Sequence, residues 1–427
     1  MGKSRLDDRQ KWYNPPTIKD NLTRNSCDTF SDYLAKEKEF LEKIYEEVKV
    51  EEGEGFNRYI RKNICSPYKD GNDLNSSFHL FPPDDNKKGG ILLIHGLTDS
   101  PYHLKAIAEI FAENGYYVIC LRLPGHGTTP GALLDVKWED WYDAVKFVAD
   151  MVRKEISKYK DKDPQFFVGG FSTGGALTLR YVLDTFTSGA PDKLFLFSPA
   201  IGVSWFAEFA DWHKLISWIP YFRKFKWKDI KPEYDPCKYN SFPKNAGDQI
   251  YELTKENKKL VKKLVSNSDN LQNKPLIYAF QSIVDATVST EDLVDLMDKI
   301  GTEESELVLF DINRNFKDFI NSEPADNLLD EIKKRSDFKP RLIVVSNEGE
   351  SDSELKWPED VFALSHVCMP ISPKDEYYGQ DSILGTLNAK GEKDILVIDP
   401  SDLIRVRYNP FFSYIKTRIE KVISDDS

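Results

Sequence analysis

The chain has 427 residues, 40% of them hydrophobic, which is enough for a large buried core. Its formal net charge of −12 argues against a nucleic-acid partner, because binding to phosphates requires a basic surface. The cysteines are far apart and form no CxxC pair, so neither a disulfide framework nor a zinc site is predicted; they are Cys27, Cys65, Cys120, Cys237 and Cys368.

The first 29 residues are polar and irregular, and they contain no apolar segment of the kind that directs secretion. No stretch of the chain approaches the roughly 20 apolar residues that span a membrane. We therefore expect a cytoplasmic protein, with the mature form of an exported protein as the alternative. Residues 30–50 follow as a charged amphipathic helix that is expected to pack on the main body. A helix that binds a partner is the alternative.

From about residue 77, short apolar strands alternate with amphipathic helices. The predicted strands are 91–95, 117–122, 165–169, 193–198, 275–281 and 361–366. The predicted helices are 102–114, 137–157, 174–187 and 289–299. This alternation predicts an α/β fold in which a mostly parallel sheet has helices on both faces.

Two segments interrupt the alternation. Residues 201–272 are rich in aromatic side chains and contain no clear strand, and residues 301–360 contain two further apolar runs on either side of a charged helical stretch. No internal repeat or low-complexity linker marks a domain boundary. The expected units are an N-terminal extension (1–80), a core (81–200 and 273–427) with an extra insertion at about 301–360, and a cap or lid (201–272).

Residues 166–175 read FFVGGFSTGG and contain a G-x-S-x-G motif. Such a match is common by chance, but this one follows an apolar strand and opens a helix, as the turn that carries a nucleophilic serine requires. Gly170 and Gly174 leave room for the tight backbone, and the helix N-terminus directs its amides at Ser172. Ser172 is therefore the candidate nucleophile. A glycine-rich turn with an idle serine is the alternative.

A second short motif lies upstream of the candidate nucleophile. Residues 91–97 read ILLIHGL, an apolar strand that ends in His-Gly. We expect the backbone amides of Leu97 and Thr173 to bind the negative oxygen that develops during acyl transfer. His95 is expected to brace this loop, because its use as the base would require an unusual order of residues along the chain.

A nucleophilic serine needs a histidine base and a carboxylate that orients the base. In the fold that carries the G-x-S-x-G turn, the acid and then the base follow the serine along the chain. Only His213 and His366 follow Ser172, and His213 lies early in the aromatic segment. His366, after the late apolar run VFAL, is therefore the candidate base. A histidine that only ends a strand is the alternative.

Two aspartates are candidates for the acid. Asp285 follows the strand-like run PLIYAFQSIV and Asp311 follows ELVLF, so either carboxylate could project from the carboxyl edge of the sheet. Asp285 is favoured, because its strand is the first after the aromatic segment and is followed by a short loop and a helix. Asp311 is the rival, and a surface turn is the alternative for both.

Several of these stretches together resemble a known family, namely HGLTDSP (95–101), RLPGHGTTPG (122–131) and GGFSTGG (169–175), with a return at SIVDATV (282–288) and SHV (365–367). They are similar to bacterial α/β hydrolases of the monoacylglycerol lipase and carboxylesterase group. The resemblance covers residues 88–200 well. It implies an α/β-hydrolase fold with an eight-stranded, mostly parallel sheet, a Ser-Asp-His triad, ester hydrolysis without a cofactor, and a cap where 201–272 falls.

The chain departs from compact members of this group in three ways. It has an N-terminal extension of about 80 residues, and its cap is larger. In addition, 81 positions separate Asp285 from His366, whereas compact relatives have far fewer. If residues 301–360 add strands to the sheet, Asp285 can remain the acid. If they replace the usual path of the chain, Asp311 becomes the better candidate for the acid.

The aromatic segment indicates the kind of substrate. Aromatic walls suit acyl chains, so a small-molecule acyl ester or a monoacylglycerol is expected. A thioester or an amide would use the same triad. Tryptophans beside basic residues also suit a transient contact with a lipid interface, and a self-packed cap core is the alternative. The candidate substrate-binding residues are Trp205, Phe206, Phe209 and Trp218.

Other classes of function are disfavoured. A non-catalytic binding module of the same fold is the main rival, but a complete triad in the right order argues against it. No GxGxxG or GxxxxGK[ST] motif follows a predicted strand, so nucleotide binding is not predicted. No pair of histidines has ligand spacing, so no metal site is expected.

Overall fold

A computed structural model describes residues 10–22, 27–50, 57–69, 71–84, 86–159, 163–202, 226–266, 274–285, 287–312, 322–335, 337–347, 361–364 and 411–424. At residues 347 and 361–364 the backbone alone is described. Within these ranges, a nine-stranded sheet carries helices on both faces, which confirms the predicted α/β-hydrolase fold.

The helices are α1 (Phe30–Val48), α2 (Lys105–Glu113), α3 (Trp138–Ile156), α4 (Thr173–Thr185), α5 (Lys244–Ser266), α6 (Thr290–Ile300), α7 (Glu323–Lys334) and α8 (Phe412–Ser424). Short 3-10 helices lie at Lys11–Tyr13, Pro101–Leu104 and Pro130–Leu134. In the described part of the chain, the length and apolar content of every helix fall short of what a membrane crossing requires.

The strands are β1 (Tyr68–Lys69), β2 (Asn72–Asp73), β3 (Phe78–Leu80), β4 (Gly89–Ile94), β5 (Tyr116–Leu121), β6 (Gln165–Phe171), β7 (Lys193–Phe197), β8 (Trp227–Asp229), β9 (Phe242–Pro243), β10 (Leu276–Ser282), β11 (Glu306–Phe310), β12 (Arg341–Asn347) and β13 (Val361–Leu364). The main sheet has the order β13-β12-β11-β10-β7-β6-β4-β5-β3. Within this sheet, β3 runs antiparallel to its neighbour β5, and the other neighbouring strands pair in parallel. The pairs β1–β2 and β8–β9 form separate two-stranded ribbons.

The number of strands differs from the eight that the resemblance implies. The expectation of eight is wrong because both apolar runs of the predicted insertion become strands, β11 and β12, and pair in parallel with each other. Ile343, Val344 and Val345 of β12 are fully buried, as expected for a strand covered on both faces. Residues 301–360 therefore extend the sheet.

Alternate residues of the central strands enter two different cores, because successive side chains of a strand point to opposite faces. In β4, Leu92 and Ile94 face the core that contains α3, α4 and α5. Ile91 and Leu93 face the second core, which contains α2 and α8. All six residues of β4 are buried, which explains why this strand reads as a continuous apolar run.

Helix α1 packs on the main body, as predicted. It begins at an N-cap formed by Thr29, whose hydroxyl accepts the amide of Asp32 while the Asp32 carboxylate accepts the amide of Thr29. Its apolar stripe is buried in the first core, where Tyr33 and Ile44 are each only 1% exposed. The helix thus forms part of the same core as the sheet.

A buried ion cluster also joins the N-terminal region to the sheet. Arg122, just after β5, donates to Glu37 of α1 (Nε–Oε1, 2.9 Å) and to Asp20 (Nη1–Oδ2, 2.6 Å). Glu37 is fully buried and also accepts the backbone amide and the hydroxyl of Ser77. Burial raises the pKa of Glu37 despite the neighbouring guanidinium. The cluster ties α1 and β3 to the loop that follows β5.

Residues 226–266 of the aromatic segment pack against two other regions. Trp227 in β8 lies edge-on to Tyr13 of the N-terminal region, with ring centroids 5.6 Å apart. In α5, Leu253 is fully buried, and the Asn257 amide donates to the carbonyl of Ala176 in α4 (2.8 Å). The proposed boundaries of the cap stay a prediction, but α5 itself lies on the sheet's helical layer.

Helix α8 crosses the second face of the sheet from its carboxyl edge to its amino edge. Phe411 stacks on Phe310 at the carboxyl end of β11, with centroids 4.7 Å apart. At the other end of α8, the ammonium of Lys193, the first residue of β7, donates to the carbonyl of Val422. This position brings the chain back beneath the centre of the sheet.

Candidate active site

The predicted nucleophile lies at a sharp turn between β6 and α4. Ser172 has φ 52° and ψ −112°, a left-handed conformation that costs a non-glycine residue free energy. The flanking glycines allow the turn: a Cβ at Gly170 would overlap the backbone of Gly174, and a Cβ at Gly174 would overlap the carbonyl oxygen of Ile94. The G-x-S-x-G pattern is therefore a steric requirement of this turn.

Backbone hydrogen bonds hold Ser172 against the end of β7. Its amide donates to the carbonyl of Phe197 (3.0 Å), and its carbonyl accepts the amides of Ala176 (3.2 Å) and Ala200 (2.9 Å). The residue is half-buried, at the carboxyl edge of the sheet. These contacts fix a serine side chain at the N-terminus of α4, where the backbone amides and the helix dipole favour negative charge.

Both ring nitrogens of His95 bond to backbone groups, one in its own loop after β4 and one in the loop after β5. Its Nε2 accepts the amide of Leu123 (3.1 Å), so the proton of the neutral ring lies on Nδ1, which donates to the carbonyl of Gly96 (2.8 Å). Burial holds the pKa of His95 well below its ordinary value, and this favours the neutral ring. The prediction that His95 braces the loop is confirmed.

The hydrogen bond from His95 also sets the direction of the next amide. A trans peptide unit is planar, so the carbonyl of Gly96 and the N–H of Leu97 point in opposite directions. The amide of Asp99 donates to the same carbonyl (3.2 Å). With the Gly96 oxygen held by two donors, the N–H of Leu97 is directed away from them.

The loop after β4 and the turn after β6 touch each other. A Cβ at Gly96 would lie 2.9 Å from the ring of Phe171, the residue before Ser172. On the other side of the contact, Gly174 of α4 packs against the carbonyls of Ile94 and His95. The two predicted oxyanion amides therefore belong to neighbouring segments in direct contact.

Asp285 lies in the loop after β10. Its Oδ1 accepts the amides of Thr287 (2.8 Å) and Val288 (3.1 Å), which fixes the carboxylate at the start of a tight turn. The side chain is half-buried and lines a cavity of about 980 Å³. Strands β6 and β10 are separated only by β7, so their carboxyl ends are about 10 Å apart at the usual strand spacing.

Asp311 lies one strand further away and is more enclosed. It follows β11 directly and is 7% exposed. Its Oδ1 accepts the amide of Ile312 (2.8 Å), and its Oδ2 accepts the hydroxyl of Ser346 at the end of β12 (2.8 Å). These bonds link the ends of β11 and β12, which gives this carboxylate a role in holding the two strands together.

His366 and the four candidate substrate-binding residues, Trp205, Phe206, Phe209 and Trp218, lie outside the described residues. Strand β13, which ends two residues before His366, is five strand spacings from β6, or about 24 Å. The segment 365–410 starts at the carboxyl end of β13, and the chain is back at the carboxyl end of β11 by Phe411. Both ends of the segment thus lie on the edge that carries Ser172.

Two further histidines of the described residues have hydrogen-bond contacts elsewhere in the fold. His126 is fully buried, its Nδ1 lies 3.2 Å from the carbonyl of Pro124, and burial lowers its pKa to about 4. His79 lies on the edge strand β3, and its Nδ1 contacts the hydroxyl of Tyr117 on β5 (2.9 Å). Across the described ranges, no cluster of three or more histidine, cysteine or acidic side chains could hold a metal ion.

Comparison with known proteins gives one match to a family and one to a characterised enzyme. A model of the Hydrolase_4 family, described as "Serine aminopeptidase, S33", matches residues 85–303, just over half of the chain. A thermostable monoacylglycerol lipase of Bacillus sp. (strain H-257) is 35% identical over 95 residues, which are 22% of this chain and 35% of the lipase. The chain thus matches about a third of that relative's length.

Solved structures were also found that are similar to this chain. A soluble variant of monoglyceride lipase from Saccharomyces cerevisiae has a TM-score of 0.41 and 15% identity, and the match covers 60% of this chain and 88% of the lipase. The monoacylglycerol lipase of Paleococcus ferrophilus also has a TM-score of 0.41 and 15% identity, with 60% and 97% covered. Likeness at this level is too low to bear on what the chain does.

Proposed function

Because the chain belongs to the Hydrolase_4 family of the serine aminopeptidase S33 type, we propose that it is a serine hydrolase that cleaves carboxylic esters. Ser172 is the nucleophile, His366 the base and Asp285 the acid. A small acyl ester or a monoacylglycerol is the substrate, in line with the partial match to a monoacylglycerol lipase.

The conformation of Ser172 carries this proposal. A left-handed serine between two sterically required glycines, at the N-terminus of a helix, is costly in a turn that has no function. The same turn places the half-buried serine at the carboxyl edge of the sheet, where the loops of several strands meet. A nucleophilic serine of this family needs that exposure.

The neighbouring loop supports stabilisation of a negative oxygen. His95 and Asp99 hold the carbonyl of Gly96, so the amide of Leu97 points away from both donors. The amide of Thr173 lies in the first turn of α4, where no intrahelical acceptor is available. Two fixed donors of this kind stabilise the tetrahedral intermediate of acyl transfer.

The sheet topology supports Asp285 over its rival. Residues 301–360 extend the sheet beyond β10, which is the condition under which Asp285 remains the acid. Asp285 lines the large cavity, whereas Asp311 is nearly enclosed between β11 and β12. His366 is assigned by chain order, since only His213 and His366 follow Ser172 and His213 lies early in the aromatic segment. His95 and His126 are in addition buried and bonded to backbone groups.

The mechanism follows from these roles. His366 takes the proton of Ser172 as the serine oxygen attacks the ester carbonyl, and the oxyanion is bound by the amides of Leu97 and Thr173. The alcohol leaves with the proton from His366, and an acyl enzyme remains on Ser172. Water, activated by the same histidine, then attacks the acyl carbon and releases the acid.

The cavity beside Asp285 has an apolar side and a charged side. Its apolar lining is formed by Ile283, Val284, Ile312 and Leu328, which could take an acyl chain. The charged lining comes from Lys255, Lys258, Lys259 and Lys262 of α5 with Glu291 and Asp292 of α6. We expect the predicted aromatic residues 205–218 to complete the apolar side.

A fluorophosphonate probe tests the proposal, since it labels only activated serines. The full chain and its Ser172→Ala variant are labelled, digested and mapped by mass spectrometry. Label on Ser172 in the wild type and none in the variant is the expected result. A folded wild type that takes no label would overturn the proposal in favour of a non-catalytic binding module.

A substrate panel then separates the possible acyl groups. We compare kcat/KM for p-nitrophenyl esters of increasing chain length, monoacylglycerols, an acyl thioester and amino-acid p-nitroanilides. The last class is included because the matched family is described as a serine aminopeptidase. Esters are expected to give the highest kcat/KM; a preference for anilides or thioesters would replace the ester assignment while leaving Ser172 in place.

A further inference from the structure

The segment that follows residues 203–225 returns to the candidate active site at Tyr239. The backbone N–H of Tyr239 donates to the carbonyl of Thr98 (2.8 Å). Thr98 directly follows Leu97 and has φ 65°, which is costly for a β-branched residue. Such a conformation persists only where the surroundings hold it, and the hydrogen bond from Tyr239 is one such restraint.

The phenol of Tyr239 holds a second loop next to the first. Its hydroxyl donates to the carbonyl of Gly125 (3.0 Å) and accepts the amide of Thr128 (2.6 Å), and the side chain is 2% exposed. Burial raises the pKa of Tyr239, so the hydroxyl keeps its proton at any pH used in an assay. The loop it holds begins at Leu123, whose amide donates to His95.

The ring of Tyr239 is itself held in place. The guanidinium of Arg58 lies 5.3 Å from the ring centroid, within the range of a cation–π contact. Arg58 is 1% exposed; its Nη1 donates to the carbonyl of Lys238 (2.9 Å), and its amide donates to the carbonyl of Glu233 (2.9 Å). The N-terminal region thereby fixes the segment that carries Tyr239.

We propose that Tyr239 is a positioning residue that fixes the loop after β4, which carries the proposed oxyanion amide of Leu97. This inference rests on the proposed function. Its amide restrains Thr98, on one side of Leu97, and its hydroxyl restrains the loop that holds His95, on the other side. Without the hydroxyl, the buried amide of Thr128 loses its acceptor, and the carbonyl of Gly125 keeps only a long contact with the hydroxyl of Thr128 (3.5 Å). The loop after β5 then shifts, and the His95 ring and the Gly96–Leu97 peptide shift with it. A small displacement of an oxyanion donor lowers the rate without preventing substrate binding.

The test is Tyr239→Phe in the full chain, which removes the hydroxyl and keeps the ring against Arg58. We expect kcat for an ester substrate to fall about 10- to 100-fold with KM changed less than about 3-fold. The rate of fluorophosphonate labelling of Ser172 should fall by a similar factor, because phosphylation develops negative charge on the same donors. A variant with the kcat of the wild type would overturn the inference.

Tyr13→Phe is the matched control. Tyr13 is also buried, and its hydroxyl donates to Lys231 in the same returning segment (3.0 Å), but it bonds to neither loop. Both variants should lose stability in urea denaturation, Tyr239→Phe more than Tyr13→Phe because its hydroxyl has two backbone partners and not one, and only Tyr239→Phe should lose kcat. Equal losses of kcat would show a general loosening and contradict a positioning role.

Thr98→Gly provides a second variant in case Tyr239→Phe does not fold. Glycine adopts φ 65° without strain, which offsets the loss of the buried threonine side chain and the added chain entropy, so the variant should still fold while its loop is less restrained. We expect kcat to fall with little change in KM, and an unchanged kcat would count against the inference. If the wild type takes no label at all, it is the proposed function that fails.

Discussion

The nucleophile half and the acid–base half of the candidate site are built in different ways. Ser172 and the two proposed oxyanion amides lie at the ends of neighbouring strands, β4 and β6, whose loops touch through glycines. The proposed acid and base follow strands two and five positions away from β6. The first half is therefore fixed by local backbone geometry, and the second depends on long loops that cross the sheet edge.

This difference decides how each half can be tested. In the first half, a change of one atom alters a backbone contact that the structure defines. In the second half, the open question is which of two similar residues takes part at all. Paired variants answer that question, since only one member of each pair should lose activity.

The largest effect is expected at the proposed base. His366→Ala should lower kcat/KM for an ester by about 10⁴-fold or more, because the serine then has no proton acceptor. His213→Ala, the other histidine after Ser172, should change it by less than about 3-fold. Ester hydrolysis by both purified variants gives the answer. If His213→Ala carries the loss, the base has been assigned to the wrong residue.

The proposed acid should give a smaller loss. Asp285→Asn should lower kcat about 10²- to 10⁴-fold, since the base loses the group that orients it. Asp311→Asn should keep most of its kcat but lose about 1–3 kcal/mol of unfolding free energy, because the bonds to Ile312 and Ser346 are disturbed. Rates and urea denaturation of both variants are compared. The reverse pattern would make Asp311 the acid.

A third pair asks how much the buried ion cluster between the N-terminal region and the sheet contributes to stability. Glu37→Gln removes a buried carboxylate from Arg122 and should lower the unfolding free energy by about 3 kcal/mol. Glu39→Gln, on the exposed side of the same helix, removes only a surface pair with Lys43 and should change stability little. Equal effects in urea denaturation would contradict a special role for the buried cluster.

The smallest effect concerns pH. Burial lowers the pKa of His126 to about 4, below its ordinary value of 6.5. Between these two pH values, the folded state therefore binds fewer protons than the unfolded state. Its contribution to stability is complete above pH 6.5 and is lost as the pH falls toward 4. Burial raises the pKa of Glu37, and this changes stability with pH in the opposite direction. The contribution of His126 must therefore be measured by comparing the wild type with a variant that lacks this histidine.

His126→Gln supplies that difference. Between pH 6.5 and pH 5, the unfolding free energy of the wild type should fall more steeply than that of the variant, by up to about 1.4 kcal/mol per pH unit. Urea denaturation at several pH values measures both slopes. Identical slopes would mean that His126 does not contribute to the acid sensitivity.

Local features of the sequence were sufficient to predict the turn at Ser172 and the strands around it. Gly170 and Gly174 are required by overlap with neighbouring backbone, so the pattern around Ser172 carries its own geometry. The strands β4, β5, β6 and β7 are apolar runs buried on both faces, and the sequence predicts them for that reason. His95 was assigned to bracing from chain order alone, and its hydrogen bonds agree.

Contacts between distant parts of the chain could not be predicted in the same way. Arg122 and Glu37 are 85 positions apart, and Tyr239 and Thr128 are 111 apart, so no local pattern links them. The choice between Asp285 and Asp311 also depended on whether residues 301–360 join the sheet. Apolar runs indicate strands, but they do not indicate which strands become neighbours.

The position of α8 has a consequence for how the chain folds during synthesis. Tyr116 contacts the carbonyl of Ile423 across 307 positions, and the aromatic side chains of Phe111, Phe195 and Phe310 face the core that α8 completes. Until residues 411–424 leave the ribosome, α2 covers only part of that apolar surface. The nascent chain therefore presents a partly open hydrophobic sheet face late in its translation, and such a surface is prone to aggregation until the last helix docks.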